Sequence, residues 1–167
     1  AADGPQGGSD APQVAASAAV EAVAEPPPAA VAGEPAPAAA GWIECRPAGE
    51  AKWEVVAGEG SVGDAGEGVL RIPWANSLGA VRWTGPVPEA PFEVELEARR
   101  TDGSDFFCGL TVPTRSGDEC VTLIVGGWGG SLVGISSLND LDASENQTTL
   151  SMQFDDKRWY RIRLRFA

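Results

Sequence analysis

The sequence predicts an all-β domain of antiparallel strands folded as a β-sandwich, and three observations predict it. Short runs of β-branched and aromatic residues recur between residues 52 and 166, separated by Gly, Pro, Asn and Asp. Two of these runs, residues 92–99 and 159–166, alternate apolar and charged side chains with the two-residue period of a strand. No segment after residue 40 carries a helical period.

The chain of 167 residues changes character near residue 41. Residues 1–40 hold 16 Ala and 7 Pro but no aromatic residue, Lys or Arg. Such a stretch lacks the apolar bulk that offsets ordering entropy, and Pro26-Pro27-Pro28 favours extended polyproline. It reads as a disordered Ala/Pro-rich linker that spaces the domain from a neighbouring domain or a wall. All six Trp, all five Phe and all three Cys follow it. Residues 41–167, about 125 in number, suffice for one domain with a core of its own.

The formal charge of −12, with no basic block, makes the chain a poor ligand for nucleic acid, where phosphate neutralisation dominates affinity, and for anionic membranes, so no nucleic-acid partner is expected. No apolar stretch is long enough to insert across a bilayer as a helix. A neutral ligand, a cation or a basic partner remains open. No intact signal peptide is visible, so a mature secreted product and a piece of a longer chain both fit.

Taken in order, residues 52–56, 69–74 and 80–84 read as strands separated by a glycine- and acid-rich turn region over 58–68. In 92–99, Phe92, Val94, Leu96 and Ala98 share one face, and Glu93, Glu95 and Glu97 the other. In 159–166, Tyr160, Ile162, Leu164 and Phe166 face inward, and Arg161, Arg163 and Arg165 outward. If these two strands are neighbours, the acidic and basic rows balance each other. The chain stops just after this last strand, where a sandwich would continue with a partner, so the last strands are expected to be missing.

Residues 105–138 organise the middle of the domain as three β-rich runs: 106–112 ending at Pro113, 120–125, and 132–138. Between the last two, Trp128 stands among Gly126, Gly127, Gly129 and Gly130, where no side chain shields the indole from a flat partner such as a sugar ring. Cover over an edge strand is the competing role for Trp128. Trp53 and Trp159 are expected in the core, while Trp74 and Trp83 suit either core or a groove bordered by Asn76 and Ser77. A hairpin closed by residues 113–119 would set Cys108 and Cys120 face to face, as a disulfide or as two buried thiols.

Trp53-Glu54-Val55, residues 92–99, Ser104-Asp105-Phe106-Phe107-Cys108-Gly109-Leu110 and Trp159-Tyr160-Arg161-Ile162-Arg163, in this order, resemble the 3-keto-disaccharide hydrolase-type domain. The resemblance covers roughly residues 42–166. It implies a concanavalin-like jelly roll, related in fold to family-16 glycosidases and common in bacterial extracytoplasmic proteins. The family pattern continues beyond the Trp159 strand, which again suggests missing strands.

The chain has no histidine, which removes Ser-His-Asp and Cys-His catalysis and any histidine-ligated metal. Carboxylates remain. Glu93, Glu95 and Glu97 resemble the acidic strand of family-16 glycosidases, although the middle residue there is Asp; same-face strand neighbours approach the roughly 5–5.5 Å that a retaining pair needs. A plain solvated face is the competing reading. The second cluster, Asp140, Asp142, Glu145 and Asn146, offers oxygen ligands for sugar hydroxyls or Ca²⁺ without the EF-hand spacing, and it is expected at the same end of the sandwich as Trp128. Asn146-Gln147-Thr148 also fits a glycosylation sequon. Three functions follow from these residues: an extracytoplasmic domain that binds a neutral carbohydrate, a glycoside hydrolase using a carboxylate pair, or a structural or adhesive module without a small ligand.

Overall fold

The computed structural model describes residues 18–21, 41–45, 52–58, 63–64, 68–73, 78–114 and 119–166. The fold is all-β: among the described residues eleven strands pair antiparallel, and the one helical element is the turn Gly127–Gly130. Strands β1 (Ala18–Glu21), β11 (Tyr160–Phe166) and β6 (Phe92–Ala98) form one sheet in the order β1-β11-β6. A second sheet runs β10-β9-β8-β7, from β10 (Leu150–Ser151), β9 (Leu132–Ser136), β8 (Cys120–Gly126) and β7 (Cys108–Pro113). Two ribbons complete the description, β2 (Trp53–Ala57) with β5 (Ala80–Trp83), and β3 (Gly63–Asp64) with β4 (Leu70–Arg71).

The alternating patterns explain which faces meet. Ile162 and Leu164 of β11 lie in one buried cluster with Val112, Leu123, Val125, Val133 and Ile135 of the second sheet. Phe92, Val94, Leu96 and Ala98 of β6 pack against that cluster, as the period-two reading requires. At one end of this core, Phe107, Phe154 and Tyr160 meet edge to face or tilted, with ring centroids 5.0–5.8 Å apart. Residues Ala18–Glu21, inside the stretch read as a linker, run along β11 on the side away from β6. The rest of residues 1–40 lies outside the described residues, as do Trp74, Asn76, Ser77 and most of the 58–68 turn region.

The structure corrects two expectations. In the β7–β8 hairpin Cys120 stands opposite Pro113 and Cys108 opposite Val125, so the two thiols sit at opposite ends of the hairpin and both are free. Cys108 is enclosed, and burial pushes its thiol up to about 12, which leaves it inert at neutral pH. Trp53 and Trp159 were expected in the core but only half-bury beside it. Trp53 tilts against Trp83 at 5.4 Å, and Trp159 lies under the Arg99 guanidinium at 4.5 Å. Neither ring belongs to the buried core cluster.

Leu164 is 1% exposed in the shared core. Leu164→Ala should therefore lower the free energy of unfolding by about 2–5 kcal/mol in a urea titration. A loss below about 1 kcal/mol would mean that the two sheets do not share this core.

Candidate functional site

The β8–β9 connection departs from regular pairing in a defined way. The register runs from Thr122↔Ser136 to Val125↔Val133 and then gains one residue at the Gly127↔Leu132 bridge. Gly126 supplies the extra residue in a left-handed conformation (φ 75°, ψ 31°), the geometry of a glycine bulge. A side chain is barred there, because a Cβ would stand 2.9 Å from the Phe107 ring. Gly130, at φ 102°, is equally confined: a Cβ would meet the Arg100 guanidinium at 2.9 Å and the Ser104 carbonyl at 3.0 Å. The turn closes through the Ser131 N–H, which donates to the Gly127 carbonyl at 3.2 Å.

Trp128 is carried at the top of this turn. Its own backbone is left-handed (φ 47°, ψ 57°), a conformation that costs a residue with a side chain about 1–2 kcal/mol. The residue stays 48% exposed while Gly127 and Gly130 are buried. A bulky aromatic is thus held outward at a position whose backbone suits glycine, a combination that marks functional sites more often than structural ones.

Two segments frame the base of the turn. Residues 99–107 follow β6, residues 152–158 precede β11, and the antiparallel pairing of Ala98 with Tyr160 brings both to the same end. The Met152 N–H donates to the Ser131 carbonyl at 2.8 Å, and the Lys157 N–H to the Arg100 carbonyl at 2.8 Å. These segments carry Asp102, Asp105, Asp155, Asp156 and Arg158, none of them a site candidate from the sequence alone. The signal that finds them is the charge complementarity of β6 and β11: once those strands pair, their flanking segments must meet.

The cluster at 138–149 lies elsewhere. β9 runs between the glycine turn and Asn139-Asp140, so at about 3.3 Å per residue its five residues set them at opposite ends of the strand. The expectation that Trp128 and this cluster share one end is corrected by that strand. The cluster is also engaged with itself. Asn146 is 8% exposed, and its amide donates to the carbonyls of Ile135 at 2.8 Å and Asp142 at 2.6 Å. Its oxygen accepts the Thr148 N–H at 2.9 Å. Asp142 Oδ1 accepts from the Ser144 amide and hydroxyl at 2.7 and 2.6 Å. Asn146 therefore knits the loop, and its buried amide is closed to a glycosyl group in the folded chain. Asp140 and Glu145 remain exposed.

The carboxylates of β6 form an ion-pair ladder with β11. Arg163 donates to Glu95 Oε2 at 2.6 Å and approaches Glu93 Oε1 at 3.1 Å; Arg161 takes the other oxygen of Glu95, and Arg165 meets Glu93 at 3.0 Å. The hydrogen bond from Arg163 holds the Glu95 carboxyl below its usual range, aided by Arg161 and opposed by partial burial. A glycosidase acid needs the opposite shift. Glu97, directly opposite Arg161, is exposed. Among the described residues, no three His, Cys, Asp or Glu side chains gather as metal ligands, and no helix is long and apolar enough to cross a membrane. Comparison with protein-family models, curated proteins and solved structures finds no match to this chain.

Two outcomes test this geometry. Trp128→Gly relieves the left-handed backbone and should leave stability within about 1 kcal/mol of the parent or raise it; a packed tryptophan would cost about 3–5 kcal/mol. For Glu95 the depressed pKa means that the folded state takes up its proton later than the unfolded chain does. Its stabilisation is present above the ordinary carboxylate pKa and is lost as pH falls through the lower folded value. Urea titrations from pH 7 down to pH 2 should show the parent's advantage over Glu95→Gln shrinking across that acid window; an advantage that grew on acidification would contradict the ladder.

Proposed function

We propose that residues 41–167 form a concanavalin-like jelly roll that binds a neutral carbohydrate, with Trp128 as the platform on which a sugar ring stacks. The observation that carries this reading is the outward, left-handed Trp128 on a turn in which Gly127 and Gly130 are buried. An indole face needs no charge on its ligand, which suits a chain of net charge −12 without a basic surface block. The resemblance to 3-keto-disaccharide hydrolase-type domains supports the same ligand class and an extracytoplasmic location, with the Ala/Pro-rich segment as the tether to a neighbouring domain. The commitment of Glu93 and Glu95 to arginines favours binding over glycoside hydrolysis.

A glycan array probed with the purified chain, with and without Ca²⁺, tests the proposal. Binding to neutral oligosaccharides should fall at least tenfold in Trp128→Ala, equivalent to about 1.4 kcal/mol, with the fold retained by circular dichroism. Binding unchanged by that substitution would move the site away from the turn, and no binding by the folded chain to any neutral glycan would overturn the proposal.

A further inference from the structure

Arg100 follows β6 by two residues and lies against the backbone of the glycine turn. Its side chain is 11% exposed and engages several separate segments. Nε donates to Asp156 Oδ1 at 2.6 Å, Nη1 to the Asp105 carbonyl at 3.3 Å, and Nη2 to the Phe154 carbonyl at 3.4 Å. The guanidinium carbon stands 6.0 Å from the centroid of the Phe107 ring, the same ring that confines Gly126. At Gly130 the turn's backbone comes close enough that a Cβ there would fall 2.9 Å from Nη1. The guanidinium thus bonds to both framing segments and fills the space beside Gly130 of the turn. Its planar fork meets acceptors in three directions at once, a geometry that an ammonium on a flexible stem does not reproduce. The arginines of the β11 ladder are more exposed, at 42–63%, and overlap in their partners, so no one of them holds a comparable junction.

We propose that Arg100 is the positioning residue of the Trp128 platform. By seating the turn at Gly130 against residues 99–107 and 152–158, it fixes where the indole stands and so limits the freedom lost when a ligand stacks on it. The consequence for affinity rests on the carbohydrate-binding reading; the effect on the turn does not. The clasp restrains Trp128 through the backbone and needs no contact between the guanidinium and the sugar.

Hydrogen exchange on the full chain, unliganded, separates the two levels. In Arg100→Lys, amides of residues 126–131 should exchange at least tenfold faster than in the parent, while core amides of β8 and β9 change less. The same variant should bind cellohexaose, laminarihexaose, xylohexaose or maltohexaose, whichever the parent binds, at least fivefold more weakly at a temperature where both chains are folded. Asp156→Ala, which removes only the exposed partner of the clasp, should give the same pattern at smaller amplitude and decides the matter if Arg100→Lys does not fold. Exchange that rises equally across turn and core, or not at all, would overturn the positioning role. A turn that loosens as expected in a chain that binds none of the four hexaoses would leave the positioning role standing and overturn the carbohydrate reading alone.

Discussion

The antiparallel pairing of β6 with β11 is the constraint from which the rest of the architecture follows. Both strands alternate, and their register sets Leu96 opposite Ile162 and Val94 opposite Leu164 on the core side. The same register sets Glu95 opposite Arg163 and Glu93 opposite Arg165 on the other side. Slipping by one residue would turn every one of these side chains to the wrong face, so apolar burial and charge pairing specify a single alignment together. The apolar rows do most of the stabilising, because half-exposed ion pairs contribute modestly in water. The ladder contributes mainly register.

That alignment also places the candidate site. Because Ala98 meets Tyr160, the chain leaving β6 and the chain entering β11 emerge side by side. The β8–β9 turn arrives at the same end, with Phe107 against Gly126 and Arg100 against Gly130. Two glycines admit the close approach of neighbouring groups, and the one large residue on the turn is left with nowhere to pack but outward. Local backbone strain at Trp128 is sustained by contacts made elsewhere in the turn, as expected where display of a side chain matters more than local comfort.

Much of the fold is legible in the sequence, for reasons that particular residues make plain. The alternation in 92–98 and 160–166 gives both faces of the first sheet correctly, and the β-rich runs around Leu123 and Val133 give the second. The facing of Cys108 and Cys120 expected from the hairpin fails, because strand register places residues equidistant from the turn opposite one another, and these two are not. Strands β3, β4 and β10 have two residues each, too few to carry a period. Within the site, the glycines around Trp128 announce an exposed indole. The distance from Trp128 to Asp140 depends instead on where β9 begins and ends, which composition does not encode. Asn146 reads as a ligand by residue type, yet the same amide that would grip a sugar spends its two N–H donors on the carbonyls of Ile135 in β9 and Asp142 in the loop. Arg100 carries no motif; its importance comes from a junction of segments far apart in the chain.

Stacking of a sugar on Trp128 is tested most directly by an NMR titration of the indole-¹⁵N-labelled chain with the four neutral hexaoses. The six tryptophans give one Nε1–H signal each, and that of Trp128 is assigned by its loss in Trp128→Phe. One of the sugars should shift the Trp128 signal most, while those of Trp53 and Trp83, whose indole N–H groups donate to the Cys45 and Pro86 carbonyls, move little. Saturable shifts confined to other indoles, or no shift with any of the four, would contradict it.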